Sequence, residues 1–207
     1  MNLESYVTLL EALSKRGTVR VSDVSAAKEP FVVLRHFVDR GAARAGRMAK
    51  LEHRLGVHGT YYFAWDPKLP HYDRGYPSDR NPGGFPAHQV LEAKLYKHEV
   101  GYLHMPSKEK FDVDERLAAL RKLAPVQCGV DSDGNAVAGA CLNAPDFDGM
   151  TLVSDAKGSW RHSTGGRVGS TEKLVSALPE HPRLVLDVHP RLWTHGKVEM
   201  ALGLVGR

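Results

Sequence analysis

Four side chains able to bind a metal or move a proton fall at the carboxyl ends of segments that read as β-strands: Asp39, His104, Asp155 and His189. Side chains alternate along a strand, so Phe37 and Asp39 share a face, as do Tyr102 and His104, and Asp187 and His189. Two carboxylates and two imidazoles placed in this way are expected to converge on one pocket. Hard oxygen and imidazole donors suit a catalytic divalent metal with a position left open for water.

Other patterns are weaker. Asp131, Asp133 and Asn135 resemble the start of a calcium loop, but the position that needs glycine is Ala136 and the one that needs a bidentate glutamate is Leu142. Arg40, Arg44, Arg47 and Arg54 recur at helical spacing and form a basic stripe, either a solvated face or a contact for phosphate. Cys128 and Cys141 lack the spacing of a zinc knuckle and read as ordinary thiols.

These residues need elements to position them. Leu3, Val7, Leu10 and Leu13 mark a helix over 3–14, and TVRVSDV (18–24) alternates like an edge strand. FVVLRHFVD (31–39) is a strand buried on both faces, followed by a helix over 42–55 and a strand at 59–65, an order that implies a parallel crossover. Residues 66–88 hold five prolines and form a long connection. A helix over 87–97 then leads into the strand EVGYLH, and Asp112 caps a helix over 112–123. Strands follow at PVQCGV and GMTLVSD, separated by a loop rich in Gly, Asp and Asn, and a helix over 171–178 precedes the strand RLVLDVHP. The alternation predicts an α/β fold with largely parallel strands, whose chemistry gathers beyond the carboxyl ends of the strands.

The chain has 207 residues, 42% of them hydrophobic, which is enough for a buried core and argues against intrinsic disorder. A net charge of +4 is too small a margin to define a nucleic-acid binder. No apolar run approaches the ~20 residues that span a bilayer, and the first residues lack the pattern of a secretory signal. The expected protein is soluble and cytoplasmic, with neither a membrane nor a nucleic acid as partner.

The segment VVLRHFVDRGAARAGRMAKLEHRLGVHGTYYF, with KHEVGYLH, RLAALRKLAPV, LVSDAKGSW and STEKL through LVLDVHPRLW in the same order, resembles a bacterial group of polysaccharide deacetylase-like proteins of the NodB homology type, related to carbohydrate esterase family 4. The resemblance covers about residues 30–195. It implies an irregular (β/α)7-type barrel, incomplete in this chain, in which a metal-bound water attacks an N-acetyl carbonyl. It also implies an N-terminal helical extension over 1–28 and a deacetylase-like domain over 29–207.

The family's first motif, HDVD, corresponds to His36, Phe37, Val38 and Asp39, so a phenylalanine stands where the catalytic base would be. Its second, HEIGYH, corresponds to a stretch in which Leu103 separates Tyr102 from His104, a one-residue slip that turns the histidine to the other face of its strand. Its third lacks its histidine: Gln127, Cys128 and Gly129 occupy the place. Asp39, Asp155 with Trp160, and His189 survive, His189 matching the family's general acid.

Three expectations follow. One is a catalytically silent member that binds a glycan or a protein. The second is a repurposed hydrolase of an N-acetylated sugar-like substrate, with His189 and Asp155 catalytic and Asp39, His104 and Asp187 holding zinc, nickel or cobalt. The third is an ordinary deacetylase in which a β-bulge restores His104. Tyr102, Trp160, Trp193 and Arg40 are the expected contacts for a carbohydrate or sugar-like ligand. A phosphate or nucleic-acid binder using the arginine stripe is a further alternative.

Overall fold

The computed structural model describes residues 2–69, 83–105, 112–137, 147–156 and 159–193. Cys141 and Leu142 lie outside them, as does most of the long connection after residue 69. Among the described residues five helices run α1 (Leu3–Arg16), α2 (Ala42–Arg54), α3 (Ala87–Leu95), α4 (Val113–Arg121) and α5 (Thr171–Ala177). Nine strands among the same residues run β1 (Thr18–Val19), β2 (Phe31–Val38), β3 (Thr60–Ala64), β4 (Glu99–His104), β5 (Val126–Asp131), β6 (Thr151–Ala156), β7 (Ser159–His162), β8 (Arg167–Gly169) and β9 (Arg183–Val188). They form one sheet in the order β5-β4-β3-β2-β9-β6-β7-β8, with β1 paired to β2.

The protein is thus a mixed α/β structure built on a largely parallel sheet. β2 lies between β3 and β9, parallel to both, and all eight of its residues are buried, as its unbroken apolar run predicts. The expected barrel does not close. Its missing join would lie between β5 and β6, but β6 already pairs with β9 on one edge and with the antiparallel hairpin β7–β8 on the other. Among the described residues β5 therefore has no edge of β6 to meet.

Strand parity divides the core. Val32, Leu34, Val38, Tyr61, Phe63, Val100, Tyr102, Leu184, Leu186 and Val188 face the side on which all five helices contribute apolar residues. Val33, Phe37, Tyr62, Leu103, Cys128, Val130 and Val185 face the other side, covered by Val21, Val24 and partly buried Phe147 and Met150. The helix expected as an N-terminal extension belongs to the core, because Tyr6, Leu9, Leu10 and Leu13 are fully buried in it. No helix among the described residues is long and apolar enough to cross a membrane.

Two expectations about elements are corrected. The strand over 18–24 ends after Val19, and Val21–Ala26 is a 3-10 helix. Val21 and Val24 are three residues apart, so a turn of three residues brings both onto the core, whereas in a strand they would point to opposite faces. Strands β7 and β8 were not anticipated; they are short, and polar residues separate Trp160 from Val168.

Candidate functional site

Asp155 lies near the end of β6 with a fully buried carboxylate, and His189 follows directly on β9. The backbone N–H of His189 donates to both carboxylate oxygens, at 3.0 and 2.9 Å, and its Nδ1 lies 2.7 Å from Oδ1. Trp193 Nε1–H donates to Oδ2 at 2.7 Å. Because a buried carboxylate accepts, these partners assign the proton to Nδ1 and leave Nε2 as the ring's free nitrogen. The imidazole is 22% exposed, so the pair is a buried acid orienting a half-open base. Phe37 stacks on the His189 ring at 5.3 Å, filling the place where the family resemblance puts a catalytic base.

Burial pushes the Asp155 carboxyl above its ordinary range, against the opposing pull of the His189 and Trp193 donors. For His189, burial lowers the imidazole, but the hydrogen bond to Asp155 and the charges of Asp155 and Asp187 together raise it. A raised imidazole contributes stability below its unfolded value of about 6.5 and loses it as pH rises through the folded value. An NMR titration is expected to place the His189 midpoint above the ordinary value of about 6.5, and Asp155→Asn to lower it. An unchanged midpoint in that variant would show that the carboxylate does not hold the imidazole's proton.

The remaining acids of the expected metal set are engaged by arginines. Arg35 Nε and Nη2 donate to the two oxygens of Asp187 at 2.7 and 2.9 Å, a buried fork of the kind that matches a carboxylate. The guanidinium also donates to the Gly134 carbonyl at 3.2 Å and lies over the rings of Phe37 and Phe147. Burial lowers the Arg35 guanidinium, while the charge and hydrogen bonds of Asp187 raise it further, so it stays charged. Gly134 has φ +85°, and a Cβ there would meet Arg35 Nη2 at 3.0 Å, so the turn over the arginine requires glycine. Asp39, just past β2, accepts from the Arg40 N–H at 2.8 Å and from Arg191 Nη1, joining the end of β2 to the 3-10 helix Pro190–Leu192.

His104 does not join these groups. It shares the strand face of Tyr102, on the helix-covered side, whereas Leu103 faces the side of Phe37 and Val185. The nearest partner of its Nδ1 is the Tyr102 hydroxyl at 3.4 Å. The expected convergence of two carboxylates and two imidazoles therefore fails, because β4 presents its histidine with the opposite parity to Asp187. A bulge does not rescue it. The irregularity between β4 and β5 pairs Val100 with Val126 but Tyr102 with Gly129, so the extra residue is on β5, and β4 stays in register with β3. Among the described residues no group of three or more His, Cys, Asp and Glu is placed to hold a metal ion. The donors present do not fit the expected metal, since Asp39 and Asp187 are paired to arginines and His104 lies across the sheet.

The expected ligand contacts are also placed differently. Tyr102, Trp160 and Trp193 are buried to within 1% and leave no ring face for a sugar. Trp160 donates to Thr171 Oγ1 at 3.1 Å, and Trp193 packs on Tyr6 at 4.7 Å between ring centres. Arg40 is exposed beside Asp39. The arginine stripe is divided: Arg44 turns inward and donates to the Pro190 and Arg191 carbonyls at 3.2 and 2.8 Å. Asp131 binds the backbone of its own turn, accepting from the N–H groups of Asp133 and Asn135 at 2.9 Å.

Sequence reasoning missed a second polar centre around Glu52, which is fully buried on α2. The Tyr6 hydroxyl donates to Oε1, and the Tyr61 hydroxyl donates to the same oxygen at 2.7 Å. His36 Nε2 lies 3.1 Å away, off the line of a hydrogen bond, and its ring stacks on Tyr61 at 4.0 Å. His98 Nδ1 accepts from the Gly59 N–H at 3.1 Å while Nε2 faces the Ala49 carbonyl at 2.9 Å, the pattern of a neutral imidazole protonated on Nε2. Its 3.6 Å approach to Glu52 Oε2 is therefore not an ion pair. The signal was a carboxylate three residues beyond Ala49, on the apolar stripe of α2.

Fold and site together define an α/β protein with an acid–imidazole pair at the carboxyl ends of parallel strands and arginine-paired acids beside it. Comparison of the chain with protein-family models, curated proteins and solved structures returns no match.

Proposed function

We propose that this chain is a divergent NodB-type polysaccharide deacetylase-like protein that binds a sugar-like ligand without metal-dependent deacetylation. One observation carries the reading: Asp39 and Asp187, the acids expected at a metal, are each neutralised by an arginine of this chain. An arginine fork on a carboxylate occupies the lone pairs a metal would use, and displacing it leaves a guanidinium buried without its anion. Phe37 over His189 removes the base that would activate water. In this reading the family's irregular (β/α)7 barrel persists in an open form. The carboxyl ends of β2, β6 and β9 are the ligand-facing side, and the partner is a carbohydrate rather than a nucleic acid.

The test is elemental analysis after dialysis against zinc, nickel or cobalt, alongside acetate release from N-acetylated oligosaccharides. Substoichiometric metal, no acetate, and oligosaccharide affinity that survives Asp39→Ala are expected. One tightly held ion per chain, lost on Asp39→Ala, would sink the reading in favour of a repurposed hydrolase. That second reading is favoured by the Asp155–His189 pair, whose geometry suits proton donation to a leaving amine from the half-open ring. It requires His189→Asn to abolish any acetate release.

A further inference from the structure

At the amino ends of β3 and β4, the opposite end of the parallel strands from His189, the surface holds two adjoining depressions of about 360 and 310 Å³. Arg20 and Lys97 line both, Ser22, Lys94 and Gln127 line the larger, and His58 lines the smaller. The basin also carries two carboxylates, of which Asp23 is paired to a cation and Glu99 is held by neutral donors. Asp23 accepts from Arg20 Nε at 2.7 Å, and Glu99 Oε2 accepts from Thr60 Oγ1 at 2.6 Å and from the Ser22 N–H at 3.2 Å. Lys94 and Lys97 are exposed and, among the described residues, have no carboxylate within ion-pair distance. The local field is positive enough that, after burial, the charges of His53, Arg20 and Lys97 hold the His58 imidazole below its ordinary range.

The backbone of Lys97 points the same way. With φ +65° it is the one non-glycine residue of positive φ among the described residues, just past the end of α3, where glycine carries no Cβ penalty. Lys97 thus holds an ammonium at the rim, beside a second ammonium and a guanidinium, at a backbone position where glycine would be less strained. Three cations, Arg20, Lys94 and Lys97, face two carboxylates, Asp23 and Glu99, a net positive charge that favours an anion, and a basin of this size lies at the small-molecule end of the pocket range of about 300–1,000 Å³.

We propose that this basin binds a phosphate dianion, free or as the head of a small phosphate monoester, through Arg20, Lys94 and Lys97 with Ser22 and Gln127 donating hydrogen bonds. The site is separate from the His189 end of the sheet and does not depend on what is bound there.

Backbone amide shifts followed by NMR during titration at low salt with inorganic phosphate, glycerol phosphate and a hexose phosphate test it. Saturable shifts at Ser22, Lys97 and His98 are expected, with affinity falling about tenfold in Lys94→Ala and further in Lys94→Ala/Lys97→Gly. Lys97→Gly alone is expected to weaken binding while raising the thermal midpoint, so that loss of ligand is not confused with loss of fold. Lys173→Ala, which removes the same charge on α5, is expected to leave affinity within about twofold. Tighter binding of either ester than of inorganic phosphate assigns a phosphorylated small molecule, and equal binding assigns the free ion. Shifts that do not saturate, or an affinity unchanged in the double variant, would overturn the site.

Discussion

Glu52→Ala is expected to cost about 3–5 kcal/mol of folding stability, measured by denaturant unfolding at neutral pH. The carboxylate sits where α1, β2, α2 and β3 meet, and it accepts from the hydroxyls of Tyr6 and Tyr61 with His36 against the same oxygen. Removing it strands two buried O–H donors and an imidazole in a space that shows no exposure to solvent, so the cost is that of desolvated polar groups as well as of lost hydrogen bonds. Tyr6→Phe removes a donor and leaves the carboxylate with other partners, so a loss nearer 1 kcal/mol is expected. If Glu52→Ala costs no more than Tyr6→Phe, water replaces the carboxylate and the centre does not hold these elements together.

The same centre sets an acid and an alkaline limit. Burial raises the Glu52 carboxyl, but His36, His98 and the Tyr6 hydroxyl together bring it below its ordinary value. A depressed carboxyl contributes stability above its unfolded value and loses it as pH falls through the folded one. Burial lowers the His98 imidazole, outweighing the attraction of Glu52. Below about pH 6.5 the unfolded chain then binds a proton that the folded chain resists, so stability falls there first and falls again through the carboxyl range. Burial and the Glu52 charge hold Tyr6 and Tyr61 well above the ordinary phenol range, so stability is also lost above about pH 10 as the unfolded phenols ionise.

Local patterns were legible in the sequence where one physical rule acted alone. The apolar run of β2 had no competing reading, and Asp112 caps α4 by accepting from the Asp114 N–H at 2.9 Å. Val19 and Val21 fit a strand's alternation while Val21 and Val24 fit a 3-10 spacing, and the tertiary requirement to bury Val21 and Val24 together decided between them. At the site, residue types were legible and partners were not. Asp155 and His189 were visible as strand ends, but that they face each other depends on β6 lying beside β9, a pairing no local rule gives. Asp187 carried the signal of a metal ligand because nothing near it in sequence marks Arg35 as its counterion, 152 residues away. The slip of His104 was readable as a change of face, and strand parity fixes which face that is.

Arg35→Met is expected to cost about 3–5 kcal/mol, because it leaves the Asp187 carboxylate buried without its cation. Both side chains are under a tenth exposed, so screening by solvent does not reduce the loss. Asp187→Leu is expected to cost a similar amount for the reverse reason, with the guanidinium left between Phe37 and Phe147. The double variant, Arg35→Met/Asp187→Leu, is expected to recover most of it, since an apolar pair in this space removes two desolvated charges at once. Only the hydrogen bond to the Gly134 carbonyl remains missing there, at about 1 kcal/mol. Unfolding of the three variants in denaturant closes the cycle. Near-additive losses would mean that Arg35 and Asp187 each serve other partners. A coupling of several kcal/mol, on the order of a buried fork, would mean that Asp187 is spent on the fold, which is the condition the metal-free reading of this site requires.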